Sequence, residues 1–174
     1  MGTTDTSSQP TLWAPWRINY LTSLDQASDC FLCEAKQEHL EEDEKAKRLI
    51  LLRDERGILM LNRYPYTNGH LLVAPLTHSP DLQSLTREQR IGLSDLTELA
   101  TRLLHEAISC HGVNVGMNLG RCAGAGVPGH LHQHIVPRWH GDVSFMDSVA
   151  GVRVMPQALE HSYATLKQAC DRLA

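Results

Sequence analysis

The chain has 174 residues, 42% of them hydrophobic and 21% charged, the balance of an ordinary globular protein with one core. A net charge of −4 and a pI near 6.2 supply no global field for nucleic acid polymers or anionic membranes, so an anionic substrate needs a local pocket. No apolar run is long enough to span a bilayer, and five unevenly spaced cysteines do not form a disulfide framework, which points to a reducing cytoplasm.

Residues 1–10 are rich in Thr, Ser and Gln and lack the basic and apolar regions of a signal peptide, so they read as a disordered leader to one domain over 11–174. Leu12–Leu24, with Trp13, Pro15, Trp16 and Tyr20, reads as an irregular arm or a short helix. Cys30 and Cys33 form one CxxC, open to three readings: half a zinc site, a redox pair or coincidence. A redox pair would want a thioredoxin-like βαβ context, which the pattern lacks. The polar stretch from Cys30 to Glu44 predicts a solvated helix with Asp29 as N-cap.

Leu49–Leu52 and Gly57–Asn62, flanking Arg53-Asp-Glu-Arg56, predict a hairpin; Tyr64–Gly69 is a loop, and His70–Ala74 a strand stopped by Pro75. Thr86–Cys110 carries the strongest helical pattern: capping-box spacing at Thr86 and Gln89, an apolar stripe from Leu93 to Ala107, and Gly112 as the stop. Val113, Val115, Met117 and Leu119 alternate with Asn114, Gly116 and Asn118, as in a half-buried strand. A last helix is expected over Pro156–Leu173. Strands, helix, strands and helix in that order predict an α+β fold with an antiparallel sheet.

Between these elements, Gly120–Gly129 forms a glycine-rich loop leading into His130-Leu-His-Gln-His134. At a side-chain period of two, His130, His132 and His134 share one face of a strand, and Leu131, Gln133 and Ile135 share the other. Imidazole changes charge near neutral pH and serves as nucleophile, proton carrier or metal ligand. Pairing of the two strands around the loop would put Asn118 at its mouth, where the N–H groups of Gly124 and Gly126 can approach an anion. A neutral histidine at such a cradle suggests attack on phosphorus through a phosphoramidate, splitting one displacement into two. A catalytic metal site is the competing reading of three alternating histidines, but it needs three convergent ligands and an open position.

His130–Val136, with Asn62-Arg-Tyr-Pro65, Gly69-His-Leu-Leu-Val-Ala-Pro75 and Asn118-Leu-Gly120, resembles the histidine triad (HIT) superfamily, whose motif is His-φ-His-φ-His-φ-φ with φ apolar. The resemblance runs from about Cys30 to Asp142. It implies a five-stranded antiparallel sheet with two main helices, extended across a homodimer, and nucleotidyl transfer or hydrolysis at an α-phosphate. By position, His132 matches the nucleophile, His134 the histidine on the phosphate or bridging oxygen, Asn118 a phosphate contact and Asn62 a ribose contact. Two departures stand out. Gln133 replaces an apolar φ residue, putting a polar group under the sheet, and Gly126 and Val127 stand where many relatives carry Ser, Thr or Gln to assist the leaving group.

Some branches of the superfamily complete a Cys2His2 zinc site, which implies Cys30, Cys33, His78 and His130 as four structural ligands here. Leu12–Leu21 and Val136–Asp142 resemble segments of the bacterial diadenosine tetraphosphate phosphorylases of this superfamily. That likeness implies an adenine nucleotide or dinucleoside polyphosphate as substrate, with phosphate or water as acceptor. Trp139 becomes a candidate for stacking on adenine, Arg138 and Arg121 for meeting the polyphosphate, and Trp13 and Trp16 for capping the core or a dimer interface. Magnesium is expected only as a companion of the substrate, since no carboxylate cluster is dedicated to it. Two alternatives remain: an adenosine phosphoramidate or adenylate hydrolase of the same family, and a nucleotide-binding regulatory protein with little turnover.

Overall fold

The computed structural model describes residues 30–143, 149 and 155–174, so the leader and the tryptophan arm lie outside the described residues. Five strands, β1 (Ile50–Asp54), β2 (Gly57–Leu61), β3 (Leu71–Ala74), β4 (Gly112–Met117) and β5 (Gln133–Arg138), form one sheet in the order β1-β2-β3-β5-β4. Every pairing is antiparallel. Two short helices, α1 (Phe31–Ala35) and α2 (Glu42–Lys47), precede the sheet. The 22-residue α3 (Arg87–Ile108) lies between β3 and β4, and the 15-residue α4 (Leu159–Leu173) follows β5.

The inner strands are covered on both faces by unequal layers. Leu59, Leu61, Leu71, Val73, Leu131 and Ile135 pack with the α3 stripe and with Leu166 and Cys170 of α4. The alternate residues Ile50, Ile58, Met60, Leu72 and Ala74 meet Leu32 and Ala35 of α1. Leu72, on the thinner α1 side, pairs with His134, so the catalytic candidates emerge where cover is least. The expected capping box forms: Thr86 accepts from the Gln89 N–H, and the Gln89 side chain accepts from the Thr86 N–H.

Several sequence expectations shift. The expected Cys30–Glu44 helix is two pieces, and Cys30 occupies the N-cap position, Asp29 lying outside the described residues. Its first turn is packed rather than solvated, because Leu32 and Ala35 seal the α1 face and the chain must then bend to bring Leu40 onto the same cluster. Helix α3 stops at Ser109, which takes the left-handed conformation, while Gly112 opens β4. The last helix starts at Leu159 rather than Pro156. Val115 and Leu119 are nearly half exposed instead of buried, because Val115 stands on the edge strand β4 and Leu119 lies beyond its end.

The histidine run is also shorter as a strand than its alternation suggested. β5 begins at Gln133, where pairing with Val73 starts; His130 and His132 precede the ladder, held by Leu131 N–H donating to the Ser79 carbonyl at 2.6 Å. The two-residue alternation nevertheless persists, with Leu131 and Ile135 both sealed against the α3 layer. Gln133 does put a polar group under the sheet, and it is satisfied there by the Thr97 hydroxyl of α3 at 2.6 Å.

Candidate functional site

His134 stands in β5 between Leu72 of β3 and Gly116 of β4, and Gly116 has no side chain to cover it. Its neighbours are histidines. Its ring centroid lies 5.1 Å from those of both His132 and His70. His70 is a site residue that the sequence reading missed. It is fully buried just before β3, where the one available signal was a polar residue opening an apolar strand.

Proton positions in this cluster follow from the fixed donors around it. The Tyr66 N–H donates to His70 Nδ1 at 3.0 Å, so a neutral His70 carries its proton on Nε2. That proton is donated to His134 Nδ1 at 3.0 Å, which leaves the His134 proton on Nε2. His134 Nε2 lies 3.4 Å from the Asn118 amide nitrogen. Two donors cannot satisfy each other, so their N–H groups converge on a place suited to an acceptor such as a phosphoryl oxygen. Neutrality is secured by burial, which lowers the His70 pKa to about 3 and the His134 pKa to about 4, helped by the neighbouring imidazoles.

His132 has the opposite polarity. Its Nδ1–H donates to the His130 carbonyl at 2.9 Å, leaving the Nε2 lone pair for attack. Burial lowers its pKa, against the opposing effect of that carbonyl, and so favours the neutral imidazole.

The glycine loop carries one turn of 3₁₀-helix, Arg121–Ala123, and Gly124 in the left-handed conformation. The Gly124 N–H is already donated to the Arg121 carbonyl, and the Gly124 carbonyl lies 3.5 Å from the Asn118 amide nitrogen. The N–H groups of Gly126 and Val127 make no backbone hydrogen bond among the described residues. Asn62 sits at the end of β2, accepting the Tyr64 N–H at 2.9 Å, with its amide nitrogen 3.4 Å from His70 Nδ1. A cavity of about 100 Å³ beside Asn62, lined also by Asn68, His70 and Ser162, is well below the roughly 300 Å³ of the smallest usual ligand pockets.

Arg138 and Trp139 are not brought to this centre. Arg138 holds Asp142 through two nitrogens, at 2.5 and 2.9 Å, and Asn114 at 3.1 Å. It stands four residues beyond His134, about 13 Å along the strand. Trp139 donates its indole N–H to the Ile108 carbonyl at 3.4 Å and packs on the α3 core. Arg121 is exposed on the glycine loop.

Cys30, Cys33, His78 and His130 do converge, their ligand atoms all lying within 4.8 Å of one another. His130 Nδ1 is 3.3 Å from Cys30 Sγ and 3.6 Å from Cys33 Sγ, and His78 Nδ1 is 3.2 Å from Cys33 Sγ. A tetrahedral zinc with bonds of about 2.0–2.3 Å requires edges of about 3.3–3.8 Å, so the donor set and its spacing fit that ion. His130 Nε2–H donates to the Pro75 carbonyl at 2.9 Å, turning the Nδ1 lone pair inward as a ligand must.

A family model described as HIT domain matches residues 43–141. An AP-4-A phosphorylase of Mycobacterium tuberculosis is 37% identical over 153 residues, 85% of this chain and 77% of the relative. Among solved structures, a Zn-bound histidine triad family protein from Mycobacterium smegmatis is 32% identical with a TM-score of 0.60, over 72% of this chain and 85% of that one. A hypothetical histidine triad nucleotide-binding protein from Sulfolobus tokodaii is 26% identical with a TM-score of 0.63, over 83% and 93% of the two chains.

Proposed function

The chain belongs to the HIT domain family, and on that premise we propose that it is an enzyme cleaving diadenosine tetraphosphate or a related adenine nucleotide at the α-phosphate. The observation that carries the reading is the pair of contacts at the Nδ1 atoms of His132 and His134, which assign a bare Nε2 to the first and an Nε2–H to the second. His132 Nε2 attacks the α-phosphorus; a P–N bond forms, a P–O bond breaks, and ATP leaves with the bonding electrons. The Nε2–H of His134, the Asn118 amide and the Gly126 and Val127 N–H groups meet the negative charge on the phosphoryl oxygens. Asn62 faces the ribose. The adenylyl group then passes from His132 to phosphate, giving ADP, or to water, giving AMP.

Cys30, Cys33, His78 and His130 would hold zinc in a closed four-ligand site, supplying a cross-link between α1, the segment after β3 and the catalytic run. The likeness to a Zn-bound neighbour supports this assignment. Magnesium would enter only with the polyphosphate. The exposed β4 edge, with Val115 nearly half exposed, supports pairing of two copies into a continuous sheet. Free cysteines on every described element that carries them support a reducing compartment, the cytoplasm.

The test is to incubate the purified protein with diadenosine tetraphosphate, with and without phosphate, and to identify the products. ADP with ATP only when phosphate is present means phosphorolysis; AMP with ATP in its absence means hydrolysis. No turnover of any adenine nucleotide, or full activity in His132→Ala, overturns the proposal.

A further inference from the structure

Tyr66 belongs to neither core cluster, and 52% of its surface is exposed, yet its ring lies against both His70 and His134. The centroid is 4.6 Å from that of His70 and 5.6 Å from that of His134, with only 21° between the Tyr66 and His134 planes. The main chain of the same residue supplies the N–H that occupies His70 Nδ1.

The loop delivering that N–H is itself held. Asn62 Oδ1 accepts the Tyr64 N–H, the Asn62 N–H donates to the His70 carbonyl at 2.9 Å, and the His70 N–H donates to the Thr67 carbonyl at 3.2 Å. Pro65 restricts φ immediately before Tyr66. One residue thus addresses both ends of the imidazole pair, through its backbone at His70 and its ring at His134.

We infer that Tyr66 is a positioning residue: its N–H sets the tautomer of the His70–His134 pair, and its ring prevents the outer imidazole from turning over. Without the ring, rotation about the last side-chain torsion of His134 would put a carbon in the place of each nitrogen, breaking the bond from His70 and turning Nε2–H away from the site. Released from His70, the ring could take either tautomer. The ring and the N–H are both kept in Tyr66→Phe, so that variant should hold the same tautomer. The catalytic half of the inference rests on the function proposed above; the tautomer half does not.

The experiment records imidazole ¹H–¹⁵N correlation spectra and steady-state kinetics for the wild type, Tyr66→Phe and Tyr66→Leu. The wild type and Tyr66→Phe should show one His134 tautomer, protonated on Nε2, with similar kcat. In Tyr66→Leu the second tautomer should appear and kcat should fall about tenfold or more, with KM changing far less, as expected for a misoriented donor. Tyr66→Met repeats the test should the leucine variant fold poorly. A single Nε2–H tautomer together with wild-type kcat in Tyr66→Leu overturns the inference, as does a Tyr66→Phe variant as impaired as the leucine one. If the wild type turns over no adenine nucleotide, the proposed function falls, and the spectra alone decide the role of Tyr66.

Discussion

The cysteine cluster around His130 and the imidazole relay around His134 use the same residue type four positions apart, and their protons run in opposite senses. At His130 a backbone carbonyl, that of Pro75, draws the proton outward, so lone pairs converge with two thiols and suit a cation. At His70 a backbone N–H, that of Tyr66, fills the inner lone pair, so the proton is passed to the outer nitrogen of His134 and N–H groups converge for an anion. His132, between them, points its proton back at the His130 carbonyl and its lone pair forward. What sets His134 apart is the group its far nitrogen meets: an imidazole N–H, where His130 and His132 each meet a main-chain carbonyl. His130 also joins the two regions, since its ring belongs to one and its carbonyl to the other.

The comparison breaks most sharply at His132. His132→Ala should lower turnover by about 10³-fold or more while leaving metal content unchanged, because it removes the nucleophile and no ligand. Product assays and metal analysis on the same sample check both halves. Cys33→Ser should do the reverse. It should lose about one metal per chain and some 3 kcal/mol or more of ligand-linked stability, a fall in melting temperature of about 6–12 °C. Unchanged metal content in that variant would remove the four-ligand assignment.

Acid should discriminate more finely. The His70 pKa is about 3 in the fold against an ordinary value of 6.5, so between those values the unfolded chain binds a proton that the folded chain refuses. Stability is therefore complete above about pH 6.5 and is lost as the pH falls. By pH 5 the loss from His70 alone is about 2 kcal/mol, and His70→Gln should flatten that part of the curve in urea titrations. The smallest effect expected lies away from both regions: Thr97→Val should cost about 1 kcal/mol by stranding the Gln133 amide, with kcat unaffected.

The three imidazoles and the two cysteines were legible because their chemistry lies in spacing, two along an extended segment and three in the CxxC pair. His70 was not, because it joins the site only when β3 pairs with β5, a contact between residues 64 apart in the chain. The exposure of Val115 and Leu119 was likewise hidden, since alternation predicts a buried face but not which strand ends at an edge. Arg138 and Trp139 show the converse: nearness along a strand is separation in space at about 3.3 Å per residue, so neither stands among the imidazoles.

The central claim is that His132 carries the adenylyl group. The direct measurement mixes the protein with diadenosine tetraphosphate without phosphate, quenches in base because a phosphoramidate is labile in acid, and locates any adduct by peptide mass spectrometry. The account predicts an adenylyl group on the peptide containing His132 and none in His132→Ala. Turnover with no adduct at any time, or the same adduct in His132→Ala, would contradict it.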